Sequence, residues 1–374
     1  MAGDGRPVRI LGLTEGDPTT TLSGAARFLL DALAPYCEIV QRLEYGVSGA
    51  ARIALAAATA RPSRDAWRAR FHTSRLAHEA MTGRLRRRMA SVQADYDLAL
   101  QVAGWTAGQP HPYALYLDQT RLMAERRYPQ WLPLRARERA GVLERERAMF
   151  ASAAHLFTMG APGRQSLIED YGIDGDRVTV VGGGLNYYSL PAMPALHAEA
   201  RAPVVLFVGR EFHRKGGDVL LEAFAAVRRA VPGAVLHLVG VSPRLSAPGV
   251  IAHGKIADRD RLSELYGLAR AFCMPSRYEP YGLVFIEAMA HGVPCVGTGV
   301  QSIPEILGHG RGGLVVPAGD PGALSAALIE LLTDDQLAGR LSRDGRQLVE
   351  EHLRWDHVAR RMLPALEAIA AVKR

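Results

Sequence analysis

The chain has 374 residues, about two and a half times the roughly 150 of a typical domain, so two domains are expected. At 48% hydrophobic and 22% charged it has the composition of an ordinary globular protein, not a disordered or fibrous one, and no stretch approaches the roughly 18 uncharged apolar residues of a membrane-spanning helix. The net charge of +7 is concentrated: residues 50–90 hold ten arginines against Asp65 and Glu79, a local +8 that leaves the rest of the chain near −1.

The N-terminal apolar run within residues 1–13 is too short for a signal peptide and reads as a first strand. Cys37, Cys273 and Cys295 are scattered, which supports neither a disulfide framework nor a zinc site. A cytoplasmic chain is expected. Only Lys215, Lys255 and Lys373 are lysines, so the position of each is informative.

Short β-rich apolar runs alternate with 3.6-periodic segments from end to end, the mark of parallel sheets built from βαβ units. Strands are predicted at 8–13, 38–43, 98–102, 113–117, 155–159 and 178–181, with intervening helices that include 23–33, 63–89 and 133–151. The pattern breaks at Gly182-Gly183-Gly184. Pro191, Pro194 and Pro203 punctuate the stretch that follows, which reads as an interdomain linker. The alternation then restarts with strand 204–208, helix 217–230 and strands 235–239 and 250–253. Helix 258–268, strand 271–274, helix 283–291, strands 294–297 and 313–316, and helices 321–332, 334–352 and 355–374 complete it. The expected organisation is a domain over 1–190, a second over 200–354 and a terminal helix over 355–374. Two such α/β units predict two doubly wound parallel sheets facing a cleft, with ligands outside the carboxyl ends of the strands.

The strongest chemical signal follows strand 204–208. Gly209-Arg210-Glu211-Phe212-His213-Arg214-Lys215-Gly216-Gly217 places a cation at the strand's end, another five residues on, and two glycines at a helix start. Arg210 can grip a phosphate bidentately, Lys215 adds a point charge, and the helix N-terminus supplies amide donors. It is not a Walker loop, because the glycine and Ser/Thr positions differ. Taken alone, these residues also read as a solvated basic turn. Farther on, Glu279 lies in the loop after strand 271–274 and Glu287 lies about one turn inside the next helix. Carboxylates suit sugar recognition because each accepts two hydroxyl protons in a fork. The Tyr281-Gly282-Leu283 turn offers further amides at a helix start.

With these motifs in order, the second half resembles the donor-binding domain of glycosyltransferase family 4, retaining enzymes of the GT-B architecture. The matching pieces are Gly209 to Gly217, the glutamate pair Glu279 and Glu287, Gly292-Val293-Pro294, Ile303-Pro304-Glu305, and Gly313-Leu314-Val315-Val316-Pro317 with Asp320. The resemblance runs from Arg201 to the C-terminus; the first half fits the architecture more loosely. It implies two Rossmann-like domains, with the last helix crossing back to the first. It implies that Arg210 and Lys215 neutralise the donor diphosphate, that Glu279 holds the donor sugar near its reacting end, and that Glu287 binds the ribose. Gly209, Gly216, Tyr281, Gly282 and Leu283 would line the donor site, with Lys255 and Ile256 near the base.

No metal or other cofactor is implied. Asp95-Tyr96-Asp97 has the spelling of a metal-binding pair but precedes its strand, and Asp258-Arg259-Asp260 sits at a helix start, where Asp is a routine cap. In the family, a loop after the first strand faces the diphosphate. Here Thr21, Ser23 and Gly24 are its candidates, and Ser23 reads equally well as an N-cap. Asp118 stands where many members carry histidine, and Gln301-Ser302 replaces the usual glycine pair before Pro304-Glu305.

Three readings are open for residues 50–90: contact with anionic lipid at the membrane's inner face, recognition of an acidic soluble acceptor, or a solvated helix surface. Trp67 and Trp131 would stack on an acceptor or simply pack. No nucleic-acid-binding module accompanies the charge. The function implied is a retaining, metal-independent transfer of a hexose-type sugar from a nucleoside-diphosphate sugar to a lipid-linked, polysaccharide or small natural-product acceptor. Its rivals are a phosphate-using glycoside phosphorylase and a non-catalytic sugar-nucleotide-binding protein. Nucleobase, sugar and acceptor are not legible.

Overall fold

The computed structural model describes residues 6–104, 110, 112–131, 133–192, 201–242 and 245–373; Pro194 lies outside them, as do the side chains of Asp65 and Trp131. The β-branched and aromatic runs form two parallel six-stranded sheets. The first is built from β1 (Val8–Thr14), β2 (Cys37–Glu44), β3 (Leu98–Val102), β4 (Tyr113–Leu117), β5 (His155–Thr158) and β6 (Val178–Val180), in the order β2-β1-β3-β4-β5-β6. All five residues of β3 and of β4 are buried, as expected where helices cover both faces of a parallel sheet. Ile10 of β1 stands beside Ile39 of β2 and Leu98 of β3.

Helices α1 (Ala25–Leu33), α2 (Gly49–Ala58), α3 (Arg64–Thr73), α4 (Arg75–Met89), α5 (Arg121–Arg127), α6 (Ala136–Ser152) and α7 (Ala161–Glu169) accompany this sheet. The helix expected over 63–89 is therefore two. At Ser74 the backbone is extended (φ −63°, ψ 156°), and its hydroxyl accepts from the Ala77 amide at 3.2 Å, ending α3 and capping α4. Helix α2 was not anticipated. The core packs Leu11, Leu13 and Leu43 with Leu55, Met81 and Leu85, so α2 and α4 are held by their apolar sides.

The second sheet contains β7 (Val204–Val208), β8 (Val235–Val239), β9 (Val250–Gly254), β10 (Ala271–Met274), β11 (Cys295–Thr298) and β12 (Gly313–Val316), in the order β12-β11-β10-β7-β8-β9. Its helices are α8 (Gly217–Ala230), α9 (Arg259–Leu268), α10 (Leu283–Ala290), the short α11 (Ile303–Ile306), α12 (Pro321–Thr333) and α13 (Asp335–His352). After β9 the chain crosses back to lay β10 beside β7, which makes β7/β10 the switch point of this sheet; β1/β3 is that of the first.

The chain divides into two units, one formed by residues up to Gly184 together with those from Trp355 onward, the other by Leu185–Arg354. The last helix, α14 (Trp355–Lys373), thus belongs to the first unit, as the resemblance implied. Arg361 Nε donates to the Val181 carbonyl at 2.8 Å and Arg360 Nε to the Tyr36 hydroxyl at 2.9 Å. A Cβ on Gly184 would stand 2.5 Å from the Trp355 amide nitrogen, so glycine lets the helix start against the end of the first unit's chain.

Candidate active site

In the second unit, the segments after β7 and β10 converge at the switch point. Gly216 is left-handed (φ +70°), and a Cβ there would come within 2.0 Å of the Pro275 carbonyl oxygen. Only glycine lets the start of α8 close against the end of β10. Lys215, one residue earlier, lays its aliphatic stem over Gly209, where a Cβ would lie 2.3 Å from the Lys215 Cδ. Its ammonium donates to Glu279 Oε2 at 2.8 Å and approaches Met274 Sδ at 3.3 Å.

The second cation on Glu279 is Arg214. Arg214 is 7% exposed; its Nη1 donates to the Tyr278 carbonyl at 2.6 Å and to Glu279 Oε2 at 3.4 Å, while Nε holds Glu211 Oε2 at 2.9 Å. Arg210 is exposed at the end of β7, outside this network. Sequence reasoning passed over Arg214 because it stands between His213 and Lys215 in a run that looks solvated throughout; nothing in the spacing marks it as buried. Burial of Glu279 works to raise its pKa, but Lys215 and Arg214 outweigh this and hold the carboxyl below its usual value. Glu279 is therefore an anion at neutral pH, fixed in direction by two cations.

Glu287 lies one turn into α10, 6% exposed. Arg259 Nη1 donates to its Oε1 at 3.1 Å and the Tyr266 hydroxyl to its Oε2 at 3.3 Å. Burial raises its pKa above the usual carboxylate value against the opposing pull of Arg259. Each oxygen keeps a lone pair for a further donor. Gly282 (φ +111°) is the N-cap of α10, with Tyr281 buried before it and Leu283 first in the helix. Lys255 is exposed and Ile256 half-buried in the loop after β9. Gln301 adopts φ +47°, and its buried Nε2 has no hydrogen-bond partner among the described residues.

The aspartate pairs lie elsewhere. Asp97 accepts from the Arg9 amide at 2.9 Å, at the amino end of β1, and Asp258 caps α9 by accepting from the amides of Asp260 and Arg261. No group of three or more metal-ligating side chains occurs among the described residues.

In the first unit, the segment after β1 folds on itself. Asp17 Oδ1 accepts from the amide and hydroxyl of Thr19, both at 2.7 Å, and the hydroxyls of Thr20 and Thr21 donate to the Asp17 carbonyl. Leu22, Ser23 and Gly24 then take φ of +49°, +60° and +93°. Ser23 is thus not the N-cap of α1; Gly24 is. Two successive non-glycine residues in the left-handed region cost on the order of 1 kcal/mol or more each, strain of the kind that collects at functional sites. Beside this turn is a cavity of about 520 Å³ at the carboxyl ends of β1, β2 and β3, covered by α2, α3 and α4. Thr21 lines it; Ser23, Gly24 and Asp118 do not, and Asp118 sits half-buried after β4.

Residues 202–334 match the family described as glycosyl transferases group 1. Among curated proteins, the GDP-mannose-dependent alpha-(1-6)-phosphatidylinositol monomannoside mannosyltransferase of Mycobacterium tuberculosis is 33% identical over 204 residues, 48% of this chain and 53% of that protein. The D-inositol 3-phosphate glycosyltransferase of Jonesia denitrificans is 30% identical over 304 residues, 74% of this chain and 71% of that protein. The chain spans about half the length of the first curated relatives it matches. Among solved structures, sucrose-phosphate synthase of Thermosynechococcus elongatus superposes with a TM-score of 0.69 at 21% identity, covering 96% of this chain and 98% of that one. WaaG, a glycosyltransferase of lipopolysaccharide biosynthesis, gives 0.70 at 16% identity over 96% and 98%. At these identities the structural likeness speaks for the fold, and the sequence relatives carry the family. The chain belongs to the glycosyl transferases group 1 family, glycosyltransferase family 4, on a GT-B fold.

Proposed function

We propose that the chain is a retaining, metal-independent hexosyltransferase that takes its sugar from a nucleoside-diphosphate sugar bound by the second unit and delivers it to an acceptor bound by the first. The observation that carries this reading is the Lys215–Glu279 pair at 2.8 Å, backed by Arg214, at the switch point of the second sheet. In this reading Lys215 and the exposed Arg210 neutralise the donor diphosphate, Glu279 accepts hydroxyl protons of the sugar, and Glu287 accepts those of the ribose. Arg214 is a positioning residue that keeps Glu279 charged and aimed.

As the bond from the anomeric carbon to the phosphate oxygen breaks, its electron pair passes to the diphosphate. The acceptor oxygen bonds to the same face of that carbon, and its proton goes to the departing phosphate oxygen, so no carboxylate base is needed. Two cations within about 4 Å of that charge contribute several kcal/mol at an effective dielectric near 20, before desolvation is subtracted. The ten-arginine segment is assigned to an anionic partner, either an acidic acceptor or the membrane surface; no helix among the described residues is long and apolar enough to cross a membrane.

The test is thermal-shift titration with UDP, GDP, ADP and dTDP, with magnesium and with chelator; GDP comes first because a relative is named for GDP-mannose. Stabilisation by one diphosphate irrespective of magnesium supports the reading, whereas a strictly magnesium-dependent shift overturns its metal-free part. With the matching sugar nucleotide, Lys215→Ala is expected to lose about two to three powers of ten in turnover while its unfolding midpoint moves little. Near-normal turnover would refute the role of Lys215.

A further inference from the structure

Arg259 opens α9, directly after the Asp258 cap. A cation in the first turn stands against the positive end of the helix dipole, so helix stability gives no reason for arginine there. Its contacts do. Arg259 Nη1 donates to Glu287 Oε1 at 3.1 Å, and its guanidinium carbon lies 5.2 Å from the centroid of the Tyr187 ring. Tyr187 belongs to the segment by which the chain enters the second unit, just past Gly184. Its ring also meets His291 edge-on at 5.7 Å, and His291 stacks on Tyr266 at 4.9 Å. Arg259 is exposed and Glu287 is buried beside it, so the guanidinium has an aromatic face on one side and a carboxylate on the other.

The titratable and charged groups facing Glu287 are Arg259 and Tyr266 from α9, Tyr187 from the entering segment, on which Asp260 also acts, and His291 on α10's own C-cap. His291 engages the Glu287 carbonyl and the Ser263 hydroxyl at 2.7 Å each, and burial pushes it down to about 4. Burial pushes Tyr187 up to about 12 and raises Tyr266 further. These three are neutral at ordinary pH. Arg259 is the charge that opposes the burial of the Glu287 carboxyl. The device repeats that of Arg214 on Glu279: each glutamate is backed by an arginine from another segment.

We propose that Arg259 is a positioning residue for the donor's nucleoside: held by the Tyr187 ring, it keeps Glu287 aimed as an acceptor for the ribose hydroxyls, which take the lone pairs that Arg259 and Tyr266 leave open. This role rests on the donor reading of Glu287 and adds Arg259 and Tyr187 to it. Without the cation, the buried carboxyl takes up a proton at higher pH and loses accepting capacity.

The experiment is calorimetric titration of the full chain with GDP, UDP and ADP, each against its 2′,3′-dideoxy analogue, from about pH 5.5 to 8.5. The analogue carries the same base and diphosphate, so the affinity ratio isolates the ribose hydroxyls and cancels the titration of the phosphate. The native chain should prefer one ribonucleotide over its analogue by about tenfold or more. Arg259→Met keeps the stem without the charge. It should lose most of that preference near about pH 6.5 and regain part toward about pH 8.5, because the accepting carboxylate forms only above its raised pKa. Arg259→Lys should restore part of the preference at the lower pH. Tyr187→Phe, which keeps the ring, should behave as the native chain, whereas Tyr187→Leu should lower the preference about two- to fivefold. Unfolding midpoints check that the variants fold; a merely structural loss would weaken ribonucleotide and analogue alike. A preference and pH profile unchanged in Arg259→Met overturns the proposal and leaves the donor reading standing. So does tighter ribonucleotide binding in that variant, which would make Arg259 a competitor for the ribose. A native chain that binds none of the three, or ignores the ribose hydroxyls, removes the assignment of Glu287 and this role with it.

Discussion

Gln301 occupies a backbone position that asks for glycine. Its φ of +47° is strained for a residue with a Cβ, and its buried amide Nε2 finds no partner among the described residues. Gln301→Gly relieves both, offset in part by the greater freedom of glycine in the unfolded chain, and should stabilise the protein by about 1 kcal/mol in chemical denaturation. A loss of stability would mean that the side chain packs more than it strains. The substitution of the usual glycine pair was legible in the sequence; that the first of the two carries the left-handed turn was not, because φ is set by how β11 meets α11. The same holds for the cations. Lys215 stood out by its spacing, whereas the contact of Arg214 with Glu279 was not legible, since its burial against the Tyr278 carbonyl depends on a segment 64 residues away.

Glu146 shows the other way a charge can be held. It is buried in the first unit against Arg121, whose backbone amide donates to it at 3.2 Å, and the Tyr171 hydroxyl also donates to it. Burial pushes its carboxyl up to about 7, with Arg121 and Tyr171 only partly opposing. Because the folded value lies above the unfolded one of 4.5, the stability this group contributes is full below about pH 4.5 and is lost as pH rises toward 7. The loss is at most roughly 3 kcal/mol. Glu146→Gln should flatten denaturation free energy across that window, and an unchanged slope would assign the titration to another group.

At the scale of elements, the strands were the most legible part. Runs such as 98–102, 113–117, 204–208, 235–239 and 271–274 match the observed strands residue for residue, because strands buried on both faces are continuous apolar runs bounded by polar residues. Helices on the surface of the first unit were harder. Arg64–Thr73 and Arg75–Met89 carry one uninterrupted helical composition, and the break at Ser74 comes from a single hydroxyl capping the next turn. Helix α2 escaped notice because its alanine-rich run shows little polar contrast, with Leu55 as its one buried residue. The contact that matters most between elements is α8 against the end of β10. Gly216→Ala would force a Cβ into the Pro275 carbonyl at a left-handed position. It is expected to cost more than about 2 kcal/mol, seen as a lowered unfolding midpoint, and to reduce sugar-nucleotide binding further by displacing Lys215. A variant with native stability and binding would show that the two segments can part without consequence.

At the scale of the whole molecule, the chain leaves its first unit at Gly184 and returns to it only at Trp355. Helix α14 buries Trp355, Val358, Met362, Leu366 and Ile369 in that unit. Five such side chains at about 2 kcal/mol each contribute on the order of 10 kcal/mol, an upper figure since the unfolded chain already covers part of this surface. That is as large as the entire stability of an ordinary domain. The first unit should therefore not persist without its last helix. A chain ending after Arg354 is expected to keep a cooperative second unit that nucleoside diphosphate still stabilises, while residues up to Gly184 become protease-sensitive and lose their share of the unfolding enthalpy. Adding residues 355–374 as a separate peptide should restore protection in proportion to its concentration, because the helix would then bind as a ligand of the folded unit. A truncated chain whose first unit stays protected would show that β1 to β6 and their own helices suffice, and that α14 contributes far less than its buried side chains imply.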